Sequence, residues 1–133
     1  MDASTEKMPK KSFFQYFMDA LKKYADFKGR ARRTEYFSFA IISNIIVFLA
    51  SRILTFVCAI VFGEDSVISS VIEDLPALAF IVPIFAVAWR RMHDCGKSGL
   101  YCLIPIYNII LVFRNGVSGE NQYGPDPKNS VMN

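Results

Sequence analysis

The stretch from Tyr36 to Phe62 constrains the fold more than any other part of the chain, because it is long and apolar and carries a single charge, at Arg52. A helix needs about 20 predominantly apolar residues to cross the hydrocarbon core of a bilayer. Residues 36–62 are therefore long enough to span a membrane with some tilt, or with one end among the headgroups. A hydrophobic share of 53% with only 20% charged residues is also typical of a membrane protein. We predict a first transmembrane helix over residues 36–62.

Two further apolar segments follow the first span. Residues 70–89 are predicted to form a second transmembrane helix, in which Pro83 either kinks the helix or is compensated by a neighbouring group. The last segment, residues 99–114, is short for a span and is interrupted by Pro105 and Asn108. A single span and a re-entrant helical hairpin both remain open for it, and a helix that breaks near residues 105–108 is favoured.

An amphipathic helix is predicted before the first span, over residues 13–28. Its apolar and polar residues separate onto two faces at the helical period. Ser12 and Gln15 have the spacing of a capping box, and Gly29 follows as a C-terminal stop signal. Because the rest of the chain is membrane-like, we expect this helix to lie flat in the membrane interface.

Together these elements predict an all-α fold: a small polytopic membrane helical bundle with an N-terminal interfacial helix, two clear transmembrane helices and a short, proline-broken third segment. A single integral membrane domain covers residues 13–127, between a polar N-terminal tail at 1–12 and a C-terminal tail at 128–133. The N-terminal tail lacks the apolar core of a removable signal peptide, so we expect the spans to stay in the mature protein.

The distribution of basic residues predicts the orientation. Nine of the 15 lysines and arginines precede residue 34, and the 90–98 loop contains three more, whereas residues 63–74 contain four acids and no base. The positive-inside rule then places the N-terminus and the 90–98 loop in the cytoplasm and the acidic loop outside. The side of the C-terminus stays open.

Catalysis and metal binding are poorly supported by the charged 90–98 loop. Cys95 could act as a nucleophile activated by His93, but two residues of separation on a short loop are no evidence of a hydrogen-bonded pair. A zinc site of His93, Asp94 and Cys95 would need further ligands, and none stands at a recognised spacing. The three cysteines form no CxxC pair, so no disulfide framework is expected. No metal and no cofactor are expected either. A net charge of +3 is too small to indicate a nucleic-acid partner.

Ion pairing and contact with the membrane surface explain the same loop better. Cations at the cytoplasmic end of a span complement the helix dipole and anionic lipids. Asp94 is placed to pair with an arginine of its own loop or of residues 29–33, so we predict an Arg–Asp network that joins the two loops. The candidate residues for binding anionic lipid or a protein partner are Arg30, Arg32, Arg33, Arg90, Arg91, His93 and Lys97.

Arg52 is a functional candidate because a charge within a span costs a few kcal/mol of insertion free energy. Polar and small residues form a stripe along the same helix, and Asn44, Arg52 and Thr55 are the candidates for a transport route. At a rise of 1.5 Å per residue, Arg52 lies roughly 24 Å from Tyr36, close to the outer interface. The favoured interpretation is that its long side chain extends toward Glu64, Asp65, Glu73 or Asp74, and a transport or ligand role is the alternative.

Three short motifs carry a resemblance to a known family. FKGRARRTEYFSF, WRRMHDCGKSG and GENQYGPDP are similar, in order and approximate spacing, to the motifs of a bacterial inner-membrane family catalogued as domain of unknown function 805, over residues 13–127. The resemblance implies a multi-pass protein of the bacterial inner membrane, and it implies no reaction, substrate or cofactor. Polar residues within these motifs are assigned to a structural network: Glu35, Asp94, Glu120, Asn121 and Asp126.

Three classes of function follow from these patterns. The favoured one is a membrane binding or scaffold module that holds anionic lipid headgroups or a protein partner. The second is a transporter or channel subunit, in which several copies assemble around the polar stripe at Arg52. The third is a membrane enzyme that uses His93, Asp94 and Glu120 on a lipid-linked substrate, although no catalytic residues are assigned.

Overall fold

The computed structural model describes residues 10–128, and all regular structure within that range is helical. The elements are α1 (Phe13–Lys22), α2 (Arg33–Phe62), α3 (Val67–Asp94), a 3-10 helix (Gly99–Leu103) and α4 (Pro105–Phe113). The predicted all-α fold is confirmed. Most of the two predicted tails, namely residues 1–9 and 129–133, lies outside the described range.

The two long helices α2 and α3 are the elements that can cross a membrane. Both are long and apolar enough to span, and they pack against each other as an antiparallel pair joined by a turn at Gly63. Most of their apolar side chains lie on the surface of the protein, as expected of helices that face lipid. Each helix is longer than predicted: α2 begins three residues before 36, and α3 extends beyond 70–89 at both ends. The C-terminal extension of α3 carries charged side chains that the bundle buries.

Pro83 lies within α3 without ending the helix. A proline lacks the N–H that would bond to the carbonyl four residues earlier, so Pro83 leaves the Ala79 oxygen without its helical donor. The hydroxyl of Tyr24, in the segment after α1, donates to that oxygen. This contact confirms the expectation that a neighbour compensates the proline, and it ties the α1–α2 connection to α3.

The helix α1 begins as predicted and ends earlier. Ser12 and Gln15 form the capping box, in which the Ser12 amide donates to the Gln15 side chain at 2.7 Å. The helix ends at Lys22, whereas the amphipathic pattern predicted residue 28, so that boundary was wrong. The chain turns early because the Asp26 carbonyl accepts a hydrogen bond from Arg90 Nε at 3.1 Å, which requires a non-helical approach to α3.

The apolar face of α1 packs on the two spans. Phe17 and Ala20 are buried, and the Phe17 ring stacks on Phe39 of α2 with 5.4 Å between centroids. Val87 of α3 completes this cluster. Phe14 stays exposed at the edge. The helix α1 is therefore fixed against the bundle at one end of the spans, and only its margin remains for contact with lipid.

The last apolar segment folds back on itself as a helical hairpin. Neither the 3-10 helix nor α4 approaches the length of about 20 residues that a span needs. Both ends of the segment lie at the Asp94 end of α3, because Gly99 packs on Trp89 and the Val117 amide donates to the Asp94 carbonyl at 2.8 Å. Of the two predicted alternatives, the structure has the helical hairpin. Its break falls at Ile104, just before the predicted range 105–108.

Candidate functional site

Charged and polar side chains collect at the end of the bundle where α3 ends, and we call this cluster the charged cap. It is built from the segment before α2, the last turn of α3 and the loop after α4. All its members are buried or nearly so: Arg30, Glu35, Arg90, Arg91, His93, Asp94, Asn121 and Asp126. Buried charges persist only where partners neutralise and hydrogen-bond them, so the charges of the cap must find their partners within it.

Asp94 is the centre of the cap, because its carboxylate bridges two guanidinium groups. Arg30 Nη2 lies 2.9 Å from Asp94 Oδ1, and Arg91 Nη1 donates to Oδ2. The side chains are 4% or less exposed. The predicted Arg–Asp network between residues 29–33 and the 90–98 loop is confirmed.

Arg91 also caps the end of α4. The last four carbonyl groups of a helix have no partner within the helix, and a cation there complements the helix dipole. Arg91 Nη2 donates to the carbonyls of Leu111, Val112 and Arg114, while Arg33 Nη1 donates to that of Phe113 at 3.2 Å. Arginines thus satisfy the polar end of a helix that is otherwise apolar.

A second buried ion pair joins α2 to α3. Arg90 Nη1 lies 2.5 Å from Glu35 Oε1, and the side chains are 1% and 9% exposed. The Ala31 amide donates to the Arg90 carbonyl at 3.0 Å, so the same residue holds the chain just before α2. Glu35 also lies in the first turn of α2, where a carboxylate complements the helix dipole.

The loop after α4 closes the cap from the C-terminal side. Arg30 Nη1 donates to the Gly119 carbonyl at 2.6 Å, and Asp126 accepts backbone hydrogen bonds from Gly119 at 3.0 Å and Lys128 at 2.9 Å. Burial by itself would raise the pKa of Asp126, but the Lys128 and Gly119 amides and the nearby Arg30 charge outweigh it. The net result is a pKa below the usual range. Asp126 is thus ionised, and its hydrogen bonds stabilise the loop after α4.

His93 is engaged on several sides. Its Nδ1 lies 3.0 Å from the Gly29 carbonyl, and its ring stacks on Tyr123 with 3.9 Å between centroids. The Asn121 side chain donates to the His93 carbonyl at 3.0 Å. These contacts make His93 a connection between three segments of the cap.

The backbone of the loop after α4 lies very close to the Asp94 carboxylate at Gly116. A Cβ atom built there would lie 2.0 Å from Asp94 Oδ2, which is far inside van der Waals contact. The sequence analysis did not single out this glycine, although Gly116 follows Asn115 in a turn-forming pair.

Burial corrects part of the predicted binding surface. Arg30, Arg90, Arg91 and His93 were candidates for lipid or partner contact, but they are at most 7% exposed, and the three arginines are paired with acids inside the protein. A further correction concerns Glu120, which is exposed and makes no hydrogen bond within residues 10–128. The other four residues assigned to the structural network belong to it: Glu35, Asp94, Asn121 and Asp126.

The remaining basic candidates lie at the surface. Lys97 is exposed above the Tyr101 ring, and Arg33 is exposed at the start of α2. Arg32 is half-buried and donates to the Tyr16 hydroxyl at 2.8 Å. Near Arg32 lies a groove of about 440 Å³, which we call the basic groove, between α1, residues 29–35 and the loop after α4.

The sequence analysis missed the lysines of the basic groove. Lys11, Lys22 and Lys23 line it together with Arg32 and Tyr16. The signal available in the sequence was the polar face of α1, which carries Lys22 and Lys23 and ends next to the residue 29–33 arginines.

The three transport candidates lie along α2, and all of them line one groove of about 400 Å³ between α2 and α3. Asn44 is exposed, and its amide donates to the Ala40 carbonyl at 2.7 Å. Thr55 donates to Glu73 Oε2 at 2.6 Å. Arg52 is exposed and lies over the Phe48 ring, 5.7 Å from its centroid. A continuous polar route would need further copies of the chain around this face.

Cys95 has the environment of a structural thiol. It is buried, and its Sγ donates to the Leu111 carbonyl at 3.3 Å. Burial raises the pKa of the Cys95 thiol, against the lowering effect of Arg91, and a raised pKa disfavours the thiolate that a nucleophile or metal ligand requires. In the part of the chain that the structure describes, no three His, Cys, Asp or Glu side chains group as metal ligands would.

Comparisons with known proteins identify the family of the chain. Residues 24–125 match the family described as "Protein of unknown function (DUF805)". The chain is 36% identical over 121 residues to "Inner membrane protein YhaI" of Escherichia coli strain K12, a match that covers 86% of this chain and 96% of the relative. It is 35% identical over 123 residues to "Inner membrane protein YhaH" of the same strain, with 85% and 96% covered. No solved structure matches. From the family match and the nearly complete coverage of both relatives, the chain belongs to the DUF805 family of inner-membrane proteins.

Proposed function

We propose that this protein is a membrane-embedded binding module that holds anionic lipid headgroups in its basic groove, at the cytoplasmic face of the inner membrane. In this account the buried arginines of the charged cap hold the fold together, and a separate set of exposed cations contacts the ligand. The lipid is a phosphatidylglycerol-type or cardiolipin-type molecule, because those headgroups carry net negative charge.

The observation that carries the proposal is the uncompensated positive charge of the groove. The acids along its wall are already engaged, because Asp19 pairs with Lys11 at 2.6 Å and Glu35 pairs with Arg90. Lys22, Lys23 and Arg32 make no ion pair within residues 10–128. Each basic residue close to an anionic membrane surface contributes about 1 kcal/mol of binding free energy.

The position of the groove supports a membrane ligand. It lies beside α1, whose first residues, Phe13 and Phe14, are exposed and follow closely in sequence on Lys11 of the groove. Exposed aromatic side chains beside lysines are typical of helices that rest in the headgroup region. A lipid headgroup in the groove would therefore keep its acyl chains on the apolar side of α1.

The orientation of the protein follows the same charge distribution. Both spans cross the membrane, with the acidic turn at 63–66 outside and residues 23–33 inside, as the positive-inside rule requires. The loop after α4 bonds to Arg30 and Asp94, so it shares the cytoplasmic side with residues 23–33.

Lipid titration followed by native mass spectrometry tests the proposal. Phosphatidylglycerol is added to the detergent-solubilised wild type and to a variant with Lys22→Gln, Lys23→Gln and Arg32→Gln. If each cation contributes about 1 kcal/mol, the apparent affinity of the triple variant falls roughly a hundredfold. The matched control replaces Lys28, Lys97 and Arg114, which are exposed outside the groove, by glutamine. Equal losses of affinity for phosphatidylglycerol in the two triple variants, or no loss in either, would show that the lipid does not bind specifically in the basic groove.

A further inference from the structure

A second polar groove lies between α2 and α3, at the end of the bundle opposite the charged cap. Its volume is about 470 Å³, and we call it the distal groove. The polar groups that line it include Arg52, Thr55, Glu64, Ser69 and Glu73, and its apolar wall is formed by Phe56. It is separate from the basic groove and shares no residue with it.

Glu73 is held in place on one side only. Thr55 Oγ1 donates to Glu73 Oε2 at 2.6 Å, and Ser51 Oγ donates to the Glu73 backbone carbonyl at 2.9 Å. These bonds from α2 fix the carboxylate against the neighbouring helix. Within residues 10–128 the other carboxylate oxygen accepts no hydrogen bond, so it can receive one from a ligand.

Arg52 faces the same groove and stays unneutralised. Its side chain is exposed, and it pairs with none of the acids in the described range. The protein therefore presents a cation and two carboxylates, those of Glu64 and Glu73, in one groove. An unpaired arginine inside a span is costly, so a bound anion there would offset its cost.

The depth of the distal groove matches the headgroup side of a bilayer. Arg52 lies roughly 28 Å along α2 from Arg33 at 1.5 Å per residue, and a bilayer core is about 30 Å thick. Glu73 lies roughly 25 Å along α3 from Arg90 by the same rise. Glu64 lies at the turn beyond both, so a ligand in the groove extends from the outer part of the core toward water.

We propose that the distal groove binds the zwitterionic headgroup of an aminophospholipid of the phosphatidylethanolamine class. The phosphate accepts hydrogen bonds from the Arg52 guanidinium, whose planar donors suit phosphate oxygens. The primary ammonium group donates to the carboxylates of Glu64 and Glu73. Phe56 contacts the start of an acyl chain. A purely anionic headgroup satisfies Arg52 alone, and a choline headgroup has no N–H to donate to the carboxylates.

Lipid competition on the solubilised full-length protein tests this assignment. Native mass spectrometry measures retained phosphatidylethanolamine against phosphatidylcholine and phosphatidylglycerol, for the wild type, Arg52→Gln and the double variant Glu64→Gln, Glu73→Gln. We expect Arg52→Gln to weaken phosphatidylethanolamine binding at least tenfold. The double variant should instead erase the preference for phosphatidylethanolamine over phosphatidylcholine. Lys97→Gln and Glu120→Gln, both exposed at the cap end, are the matched controls and should change neither quantity.

The remaining outcomes overturn the assignment. Equal retention of phosphatidylethanolamine and phosphatidylcholine by the wild type means that the distal groove does not distinguish their headgroups. A dimer mass in the wild type that Arg52→Gln abolishes means that a second copy, and not a lipid, neutralises Arg52. Binding of free phosphoethanolamine without any lipid preference identifies a soluble zwitterion as the ligand. Because Lys22, Lys23 and Arg32 are unchanged in these variants, phosphatidylglycerol binding in the basic groove is unaffected by every one of these results.

Discussion

Asp94 shows what a buried charge does in this protein, because one carboxylate neutralises two buried arginines. Removing one partner from a buried ion pair leaves the other charge without compensation, at a typical cost of about 3–5 kcal/mol. We therefore expect Asp94→Asn to lower the free energy of unfolding by about that amount. The measurement is chemical unfolding in detergent. Asp65→Asn, at the exposed turn between the spans, is the control and should stay within about 0.5 kcal/mol of wild type.

Gly116 gives a test of packing at the same carboxylate. An alanine methyl group there would stand 2.0 Å from Asp94 Oδ2 unless the loop moves. Overpacking of this kind typically costs about 1–3 kcal/mol, so Gly116→Ala should lower the melting temperature. The exposed neighbour Ser118→Ala should not. An unchanged melting temperature in Gly116→Ala would show that the loop does not pack on Asp94.

The lowered pKa of Asp126 predicts how the stability of the protein depends on pH. Its pKa in the folded protein is lowered, so unfolding takes up a proton in acid. Its ionised form contributes stability above the unfolded pKa of about 3.9, and this contribution is lost as the pH falls through the folded pKa. The stability difference between wild type and Asp126→Asn should thus shrink below pH ~4. Glu120→Gln, in the same loop, should give a difference near zero at every pH, and a constant difference for Asp126→Asn would contradict the assignment.

The contact between Tyr24 and α3 can be tested as a coupling between elements. Tyr24→Phe removes the donor to the Ala79 carbonyl that Pro83 leaves free, and the loss of one hydrogen bond at the surface of the bundle costs about 1 kcal/mol. In a Pro83→Ala background the helix supplies its own N–H, so Tyr24→Phe should cost much less there. A double-mutant cycle on the unfolding free energy measures the difference. Equal costs in both backgrounds would show that the two groups do not interact, and Tyr107→Phe serves as an exposed control.

Sequence periodicity was sufficient to predict the helices but not their ends. The apolar run at 36–62 and the capping box at Ser12 were informative because they depend on local composition and spacing. The end of α1 was not predictable from its amphipathic pattern, because the turn at residues 23–29 is fixed by contacts with α3, over 60 residues away in sequence. The hairpin form of the last segment depends on Arg91 in the same way, since its bonds to α4 carbonyls draw that helix back to the cap.

Of the candidate site, the sequence could predict that opposite charges pair with each other. The Arg–Asp network followed from charge in two loops that the positive-inside rule predicts to lie on the same side of the membrane. Which arginines are buried did not follow, because Arg30 and Arg32 have similar local sequence and differ only in tertiary surroundings. The basic groove was missed for the same reason, since its lysines and Arg32 come together only when α1 packs beside residues 29–35.

The whole molecule is a helical bundle built on two helices that are long and apolar enough to span a membrane, with a neutralised charged cap at one end and a short acidic turn at the other. Three buried arginines, at positions 30, 90 and 91, meet three buried acids, at 35, 94 and 126. This balance leaves the exposed cations of α1 and Arg32 as the source of positive potential at the cap end. In the proposed function, ligand contact and fold stability therefore fall to different residues at the same end of the bundle.

Cysteine accessibility in intact cells tests most directly whether this bundle crosses the membrane with its cap inside. Single cysteines replace Lys28, Asp65 and Ser118, which are all exposed, in a chain whose own three buried cysteines are changed to alanine. A membrane-impermeant maleimide is applied before and after permeabilisation. We predict that Asp65→Cys reacts in intact cells and that Lys28→Cys and Ser118→Cys react only after permeabilisation. Reaction of all three sites under the same condition, or of Lys28→Cys and Ser118→Cys under different conditions, would contradict the account.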